Sequence, residues 1–151
     1  MRALRLEMLA DTPFAFGETL DAALQLGENV WRARARRGEA TTGTALAAID
    51  EGAPDRWVGT MGGYLDSVGP MLVGVYVTTA CRGAAAGVTD LLFARIEDWA
   101  RTEADTLTLH VHTENARAIA AYSHRGYVPT GRQFPYLLNP TQREMEMRKQ
   151  L

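Results

Sequence analysis

The sequence predicts an α/β domain, a single one over its 151 residues. Three observations lead there. Leu72 to Thr78 is rich in Val and Tyr and apolar on both faces, as a central strand is. Val88, Leu91, Leu92, Ile96 and Trp99 recur at helical spacing just beyond it. Thr106 to His112 then alternates cleanly, with Leu107, Leu109 and Val111 on one side and Thr106, Thr108, His110 and His112 on the other. The length suffices for one substantial core.

Taken from the N-terminus, residues 2–10 read as a helix. Asp11-Thr12-Pro13 ends it, because the residue before a proline avoids the helical region. After Phe14-Ala15-Phe16-Gly17 the spacing predicts one helical stretch from about Glu18 to Arg37, carrying Leu20, Leu24, Val30 and Trp31. A strand over 44–49, a polar turn over 50–56 and a strand over 57–65 make a hairpin. Gly59, Gly62 and Gly63 in its second strand suggest a bulge or a close neighbour. Asp66 to Pro70 turns the chain into the central strand. The turn Arg82 to Gly87 joins that strand to the long helix. A second helix ends at Gly126, which reads as a C-cap. Tyr127 to Gly131 begins a strand, Phe134-Pro135-Tyr136 reads as a turn or loop, and Arg143 to Arg148 is a last strand. There Met145 and Met147 face one way, and Glu144 and Glu146 the other.

Composition excludes several classes. The net charge is −2 with both signs mixed along the chain, which argues against a nucleic-acid surface. No long apolar run or signal peptide is visible, so no membrane partner is expected. The single cysteine, Cys81, rules out an internal disulfide and fits a reducing cytoplasm. Cys81 reads as a small packing residue, since no base stands near it in sequence to make it a nucleophile.

The turn before the long helix is the first candidate site. Its small residues let a ligand approach the backbone. The free N–H groups and positive dipole end of the helix favour phosphate. A P-loop would need Lys after Gly87, where Val88 stands. A dinucleotide turn needs other glycine spacing and an acidic residue ending the next strand, which here ends in His110 and His112. A helix start made of small residues for packing accounts for the loop alone equally well.

Arg82-x-x-Ala85-x-Gly87 resembles the [QR]-x-x-G-x-[GA] signature of the GNAT acyltransferases, with Ala at the central Gly. Asn115 to Tyr127 resembles that family's N-x-x-A-x-x-x-Y-x-x-x-G-[FY] pattern at each fixed position. The two motifs stand in the family's order and spacing, and the resemblance covers roughly residues 3–148. It implies a mixed, mostly antiparallel twisted sheet flanked by about four helices. Relatives carry a strand before the first helix, and this sequence has none there.

The resemblance also implies a coenzyme site. The pantetheine arm of acetyl-CoA would enter between two splayed strands and pair with the backbone of Val75, Tyr76 and Val77. The pyrophosphate would take the amides of Gly83, Ala84, Ala85, Ala86, Gly87 and Val88, with Arg82 completing the motif. Asn115 matches the asparagine that contacts the pantetheine amide, or it is a plain helix cap. Tyr122 matches the tyrosine that protonates the leaving thiolate; otherwise it is a packed helix residue. A backbone N–H near Val77 is the candidate oxyanion donor.

The base is less well marked. His110 occupies the place where some relatives carry Glu, and histidine titrates near neutrality. His112 and Glu114 are further candidates. His110 and His112 also have the spacing of a metal pair, but no third ligand is evident, so no metal is expected. Phe14, Phe16 and Trp31 are candidates for an acceptor pocket or for core. The cluster Arg32, Arg34, Arg36 and Arg37 is either an anion site or a solvated helix end. The expected activity is acetyl transfer to a primary amine, on a small molecule or a protein N-terminus. A coenzyme-binding module without catalysis is the alternative, and a nucleotide-binding domain a remoter one. A homodimer is expected by analogy alone.

Overall fold

The computed structural model describes residues 1–151, the side chain of Ala84 excepted. The elements run α1 (Arg2–Asp11), α2 (Leu20–Leu24), α3 (Glu28–Ala35), β1 (Gly43–Asp50), β2 (Ala53–Asp66), β3 (Gly69–Val77), α4 (Val88–Arg101), β4 (Thr106–His112), α5 (Ala116–His124), β5 (Val128–Tyr136) and β6 (Asn139–Gln150). The six strands form one sheet in the order β1-β2-β3-β4-β6-β5. Every pairing is antiparallel except β3 with β4.

The expected fold class holds: a mixed, mostly antiparallel sheet with helices on its faces. No strand of the described residues precedes α1, and β1 forms a free edge of the sheet. Several element readings need correction. The stretch from Glu18 to Arg37 is two helices with a break at Gln25 to Gly27, so five helices flank the sheet where about four were expected. Trp31 pins the break by donating Nε1–H to the Leu26 carbonyl at 3.2 Å. Phe134-Pro135-Tyr136 lies in β5, not in a loop. Proline survives there because β5 is the other edge strand. The β1–β2 turn is shorter than read, with β2 already formed at Ala53. Leu91 belongs to the exposed face of α4, and Phe93 takes its place in the core.

Two cores sandwich the sheet. On one face α4 packs Phe93, Ile96 and Ala100 onto Met61, Leu72, Leu107, Leu109, Val111 and Met147. Full burial of a side chain such as Ile96 contributes about 2 kcal/mol. On the other face Leu4, Met8 and Leu9 of α1 meet Ala23, Trp31 and Tyr76. That second cluster covers only the part of the sheet near the C-terminal end of β3. The rest of this face forms the floor of a large cleft.

The feature that positions the site is a divergence. β3 and β4 pair only at Met71 with Thr108 and Leu72 with Leu109. Just beyond, Gly74 adopts φ +61° and the β2–β3 register slips between Thr60 and Gly62. A residue with a Cβ is strained at that φ, so the bulge needs glycine. The bulge bends β3 away from β4 and leaves the facing edges of both strands unpaired.

Candidate active site

The cleft, of about 1200 Å³, opens along the gap between β3 and β4. Its walls include Val73, Gly74, Val75 and Tyr76 from β3, His110 and His112 from β4, and Asn115 and Tyr122 from α5 with its cap. The structure thus brings β3, β4 and the second sequence motif to one opening. Thr78 donates its N–H to the Val58 carbonyl at 2.8 Å. Strand alternation then turns the N–H of Val77 into the gap. Val75 and Val77 place their side chains in the core beneath α4, and Tyr76 is buried against α1 with its hydroxyl on Glu7 at 3.1 Å. Only backbone of this segment is therefore free to meet a ligand.

The loop after β3 is two short 3₁₀ turns, Thr79–Cys81 and Ala84–Ala86, and not a single turn. Gly83 and Gly87 take φ +97° and +66°. Ala85 has no such φ, so alanine fits there without backbone strain. The Ala84 side chain lies outside the described residues. Gly87 caps α4 with no side-chain hydrogen bond, and an added Cβ at Gly83 or Gly87 would meet nothing within 4 Å. The first amides of α4, from Val88 on, have no partner within the helix. A helix start with no side-chain cap is chemically suited to a diphosphate. Cys81 lies at the edge of the core as a free thiol.

Arg82 is placed differently from the motif reading. Its guanidinium does not point toward the amide loop. Nε–H donates to the Val77 carbonyl at 2.8 Å, another N–H reaches Asp11 at 2.6 Å, and the group lies over the Tyr76 ring. Arg82 therefore fastens the loop to α1. Asp11 also receives Arg117 of α5 at 3.3 Å. Its carboxyl is held below the ordinary range, chiefly by the Arg82 hydrogen bond, against a smaller opposing effect of burial.

Asn115 caps α5, its Oδ1 accepting the Ala118 N–H at 3.1 Å, while it also lines the cleft. Tyr122 packs edge-on against Phe93 and Tyr127, with centroids 6.2 and 5.8 Å away. Burial pushes its hydroxyl well above the usual phenol range, so it holds its proton at neutral pH.

The two histidines of β4 part company. His112 is buried, with Nδ1 accepting the Glu114 N–H at 3.2 Å and Nε2 3.4 Å from the Gln142 amide oxygen. Phe14 and Tyr136 pack on its ring. Both nitrogens are thus within reach of partners in the wall of the cleft. His110 remains partly exposed in the cleft. Its ring stacks on Phe134 at 4.6 Å, and Nε2 lies 3.8 Å from the buried carboxylate of Glu146. Sequence reading missed Glu146. The cross-strand register His110 with Glu146 makes the pair, and no local motif encodes it. No group of three metal-ligating side chains exists among the described residues.

Beyond β3 the floor of the cleft is small: Ala45, Ala47 and Gly62. Phe16 lines the cleft wall, whereas Trp31 is core. Glu18 ties the loop before α2 to both α1 and α3, with Arg5 at 2.8 Å and Arg34 at 2.7 Å. Arg32 pairs instead with Glu28 on the exposed side of α3. The Arg34 hydrogen bond, then that of Arg5, keeps the Glu18 carboxyl below its ordinary pKa. A depressed folded pKa adds stability above the unfolded value, and that stability is lost as pH falls through the folded one. The protein is thus expected to weaken below about pH 4. Glu18→Gln should be less stable at pH 7 and show a shallower acid limb in thermal melts. An unchanged acid limb would mean that Glu18 does not carry it.

A sequence model of the acetyltransferase (GNAT) family matches residues 5–127. The chain belongs to the GNAT family. That family uses acetyl-CoA as its acyl donor. Among curated proteins none matches this chain. Solved structures do. A putative acyl-CoA N-acyltransferase from Klebsiella pneumoniae is 26% identical, with TM-score 0.60 over 82% of this chain and 83% of its own. Ribosomal-protein-alanine N-acetyltransferase from Brucella melitensis is 21% identical, with TM-score 0.70 over 99% and 91%. A putative streptothricin acetyltransferase from Bacillus anthracis, solved with acetyl coenzyme A, is 16% identical, with TM-score 0.63 over 74% of this chain. This GNAT chain spans just under two thirds, 64%, of that protein's length. At 21% and 16% the likeness is one of fold. No helix of this GNAT chain is long and apolar enough to cross a membrane.

Proposed function

We propose that this chain transfers an acetyl group from acetyl-CoA to a primary amine. The observation that carries the reading is the β3–β4 gap, with His110, Asn115 and Tyr122 on its walls, followed in the chain by the uncapped start of α4. Val75 to Val77 offer backbone to the pantetheine arm, and Asn115 stands at the same opening. The amine must be neutral to attack. As its nitrogen bonds to the acyl carbon, His110 accepts the proton that the nitrogen sheds. The Val77 N–H stabilises the oxygen that takes the carbonyl electron pair. When the carbon–sulfur bond breaks, Tyr122 gives its proton to the departing thiolate.

Detection of free thiol from acetyl-CoA in the presence of an amine library tests the reading. Binding of acetyl-CoA without thiol release from any amine would instead favour a binding module. His110→Ala should reduce kcat/KM by about 10²-fold. Raising the pH should not restore it. Unchanged activity in that variant would remove His110 from the mechanism.

A further inference from the structure

Three carboxylates are each gripped by two arginines, and of these groups Glu18 with Arg5 and Arg34, and Arg117, line the cleft. Asp11 holds Arg82 at 2.6 Å and Arg117 at 3.3 Å. Glu18 holds Arg5 at 2.8 Å and Arg34 at 2.7 Å. Glu146 holds Arg132 at 3.4 Å and Arg148 at 3.5 Å. Lys149 apart, every basic residue of the chain is arginine, whose planar fork suits such bracketing and stays charged throughout. On the cleft lining itself the side chains of Arg5, Arg34, Arg37 and Arg117 face two carboxylates, Glu18 and Glu144, which leaves a surplus of positive charge.

The Asp11 group lies at the coenzyme end, between the loop after β3 and α5. The Glu18 group lines the cleft, and Glu146 lies beside His110, 3.8 Å from its Nε2. Glu18 spends both oxygens on its arginines. Glu146 is buried, and its Oε1 also accepts the Thr130 hydroxyl at 2.9 Å. Neither is free to take an ammonium group. Arg37 adds a further cation at the rim, and Glu144 is the opposing carboxylate on the lining.

We infer that the acceptor is a primary amine carrying its own anionic group, a carboxylate or a phosphate, and not a polycation such as a polyamine or an aminoglycoside. The inference rests on the acetyl-transfer reading above and names the substrate class of that site. Surplus positive charge acts on such a molecule twice. It attracts and orients the anionic group, for which Arg37 stands at the rim while the forks of Arg5 and Arg34 stay on Glu18. It also disfavours the ammonium form of the bound amine, so that more of it is the neutral nucleophile. A polycation gains nothing from the first effect and is repelled by the surplus.

The test is thiol release from acetyl-CoA with matched acceptors. Amino acids and dipeptides with a free carboxylate are compared with their C-terminal amides, with an aminoalkyl phosphate, and with spermidine and kanamycin. The acids or the phosphate should show kcat/KM at least about tenfold above the amides, mainly through KM, with the advantage shrinking as salt is raised. Which of the two anions wins identifies the anionic group. Arg37→Glu, at an exposed position, should raise KM about tenfold for the acidic acceptor and leave that for its amide unchanged. Equal rates for acid and amide, or preference for spermidine or kanamycin, overturns the acceptor class and leaves acetyl transfer standing. Bound acetyl-CoA with no thiol release from any amine overturns acetyl transfer itself, and the acceptor class with it.

Discussion

Replacing Tyr122 with Phe is expected to lower kcat about 10²-fold while leaving the affinity for acetyl-CoA nearly unchanged. Phenylalanine keeps the ring that packs on Phe93 and Tyr127, so only the hydroxyl is lost. Burial raises that hydroxyl's pKa far enough for it to stay protonated through any ordinary assay. It can therefore donate a proton but not accept one. The defect should accordingly be constant between about pH 6 and pH 9, because the group does not titrate there. Stopped-flow or steady-state thiol release across that range measures it. Wild-type kcat in the variant would end the assignment and return Tyr122 to a packing role.

Gly63→Ala is expected to cost about 2–3 kcal/mol and to lower the melting temperature by roughly 5–10 °C. A Cβ there would overlap one carbon of the Trp99 ring and lie 2.9 Å from two others. The half-buried indole lies against the core beside Ile96 and Ala100, so it moves aside only at the expense of the packing of α4. Neighbouring Gly62 faces the cleft, and its nearest contact would be an ordinary 3.5 Å. Gly62→Ala should be neutral or slightly stabilising, as alanine is in a strand. Thermal unfolding of the pair separates close approach of helix and sheet from a general effect of glycine. Equal stabilities in the two variants would refute it. Since α4 starts at the amide loop, Gly63→Ala should also weaken binding of acetyl-CoA.

Much of the fold was legible in local pattern. The strict alternation of Thr106 to His112 gave β4 with its observed bounds, and the helical spacing after Gly87 gave α4. Gly126 closes α5 with φ +87°, as expected of a C-cap. Misreadings arose where a distant contact overrides local preference. The break before α3 depends on Trp31 reaching the Leu26 carbonyl. Phe134-Pro135-Tyr136 is strand because β6 pairs with it, despite the proline. Leu91 and Phe93 both suit a helix, and only the position of the sheet decides which is buried.

By itself the sequence determined the strand–loop–helix unit, the helix with its Asn115 cap and Gly126 stop, and through two spaced motifs the acetyltransferase family. These are properties of periodicity, glycine conformation and short-range spacing, all carried within a few turns of chain. Tertiary structure alone decided that β3 leaves β4 after two residue pairs, that His110 meets Glu146 while His112 is sealed in the wall, and that Arg82 faces Asp11. It alone set three carboxylates each between two arginines. Such contacts join residues up to 106 positions apart, as in Asp11 and Arg117. Nothing in local pattern marks them, because charge pairing depends on which side chains the sheet register and helix packing bring within reach.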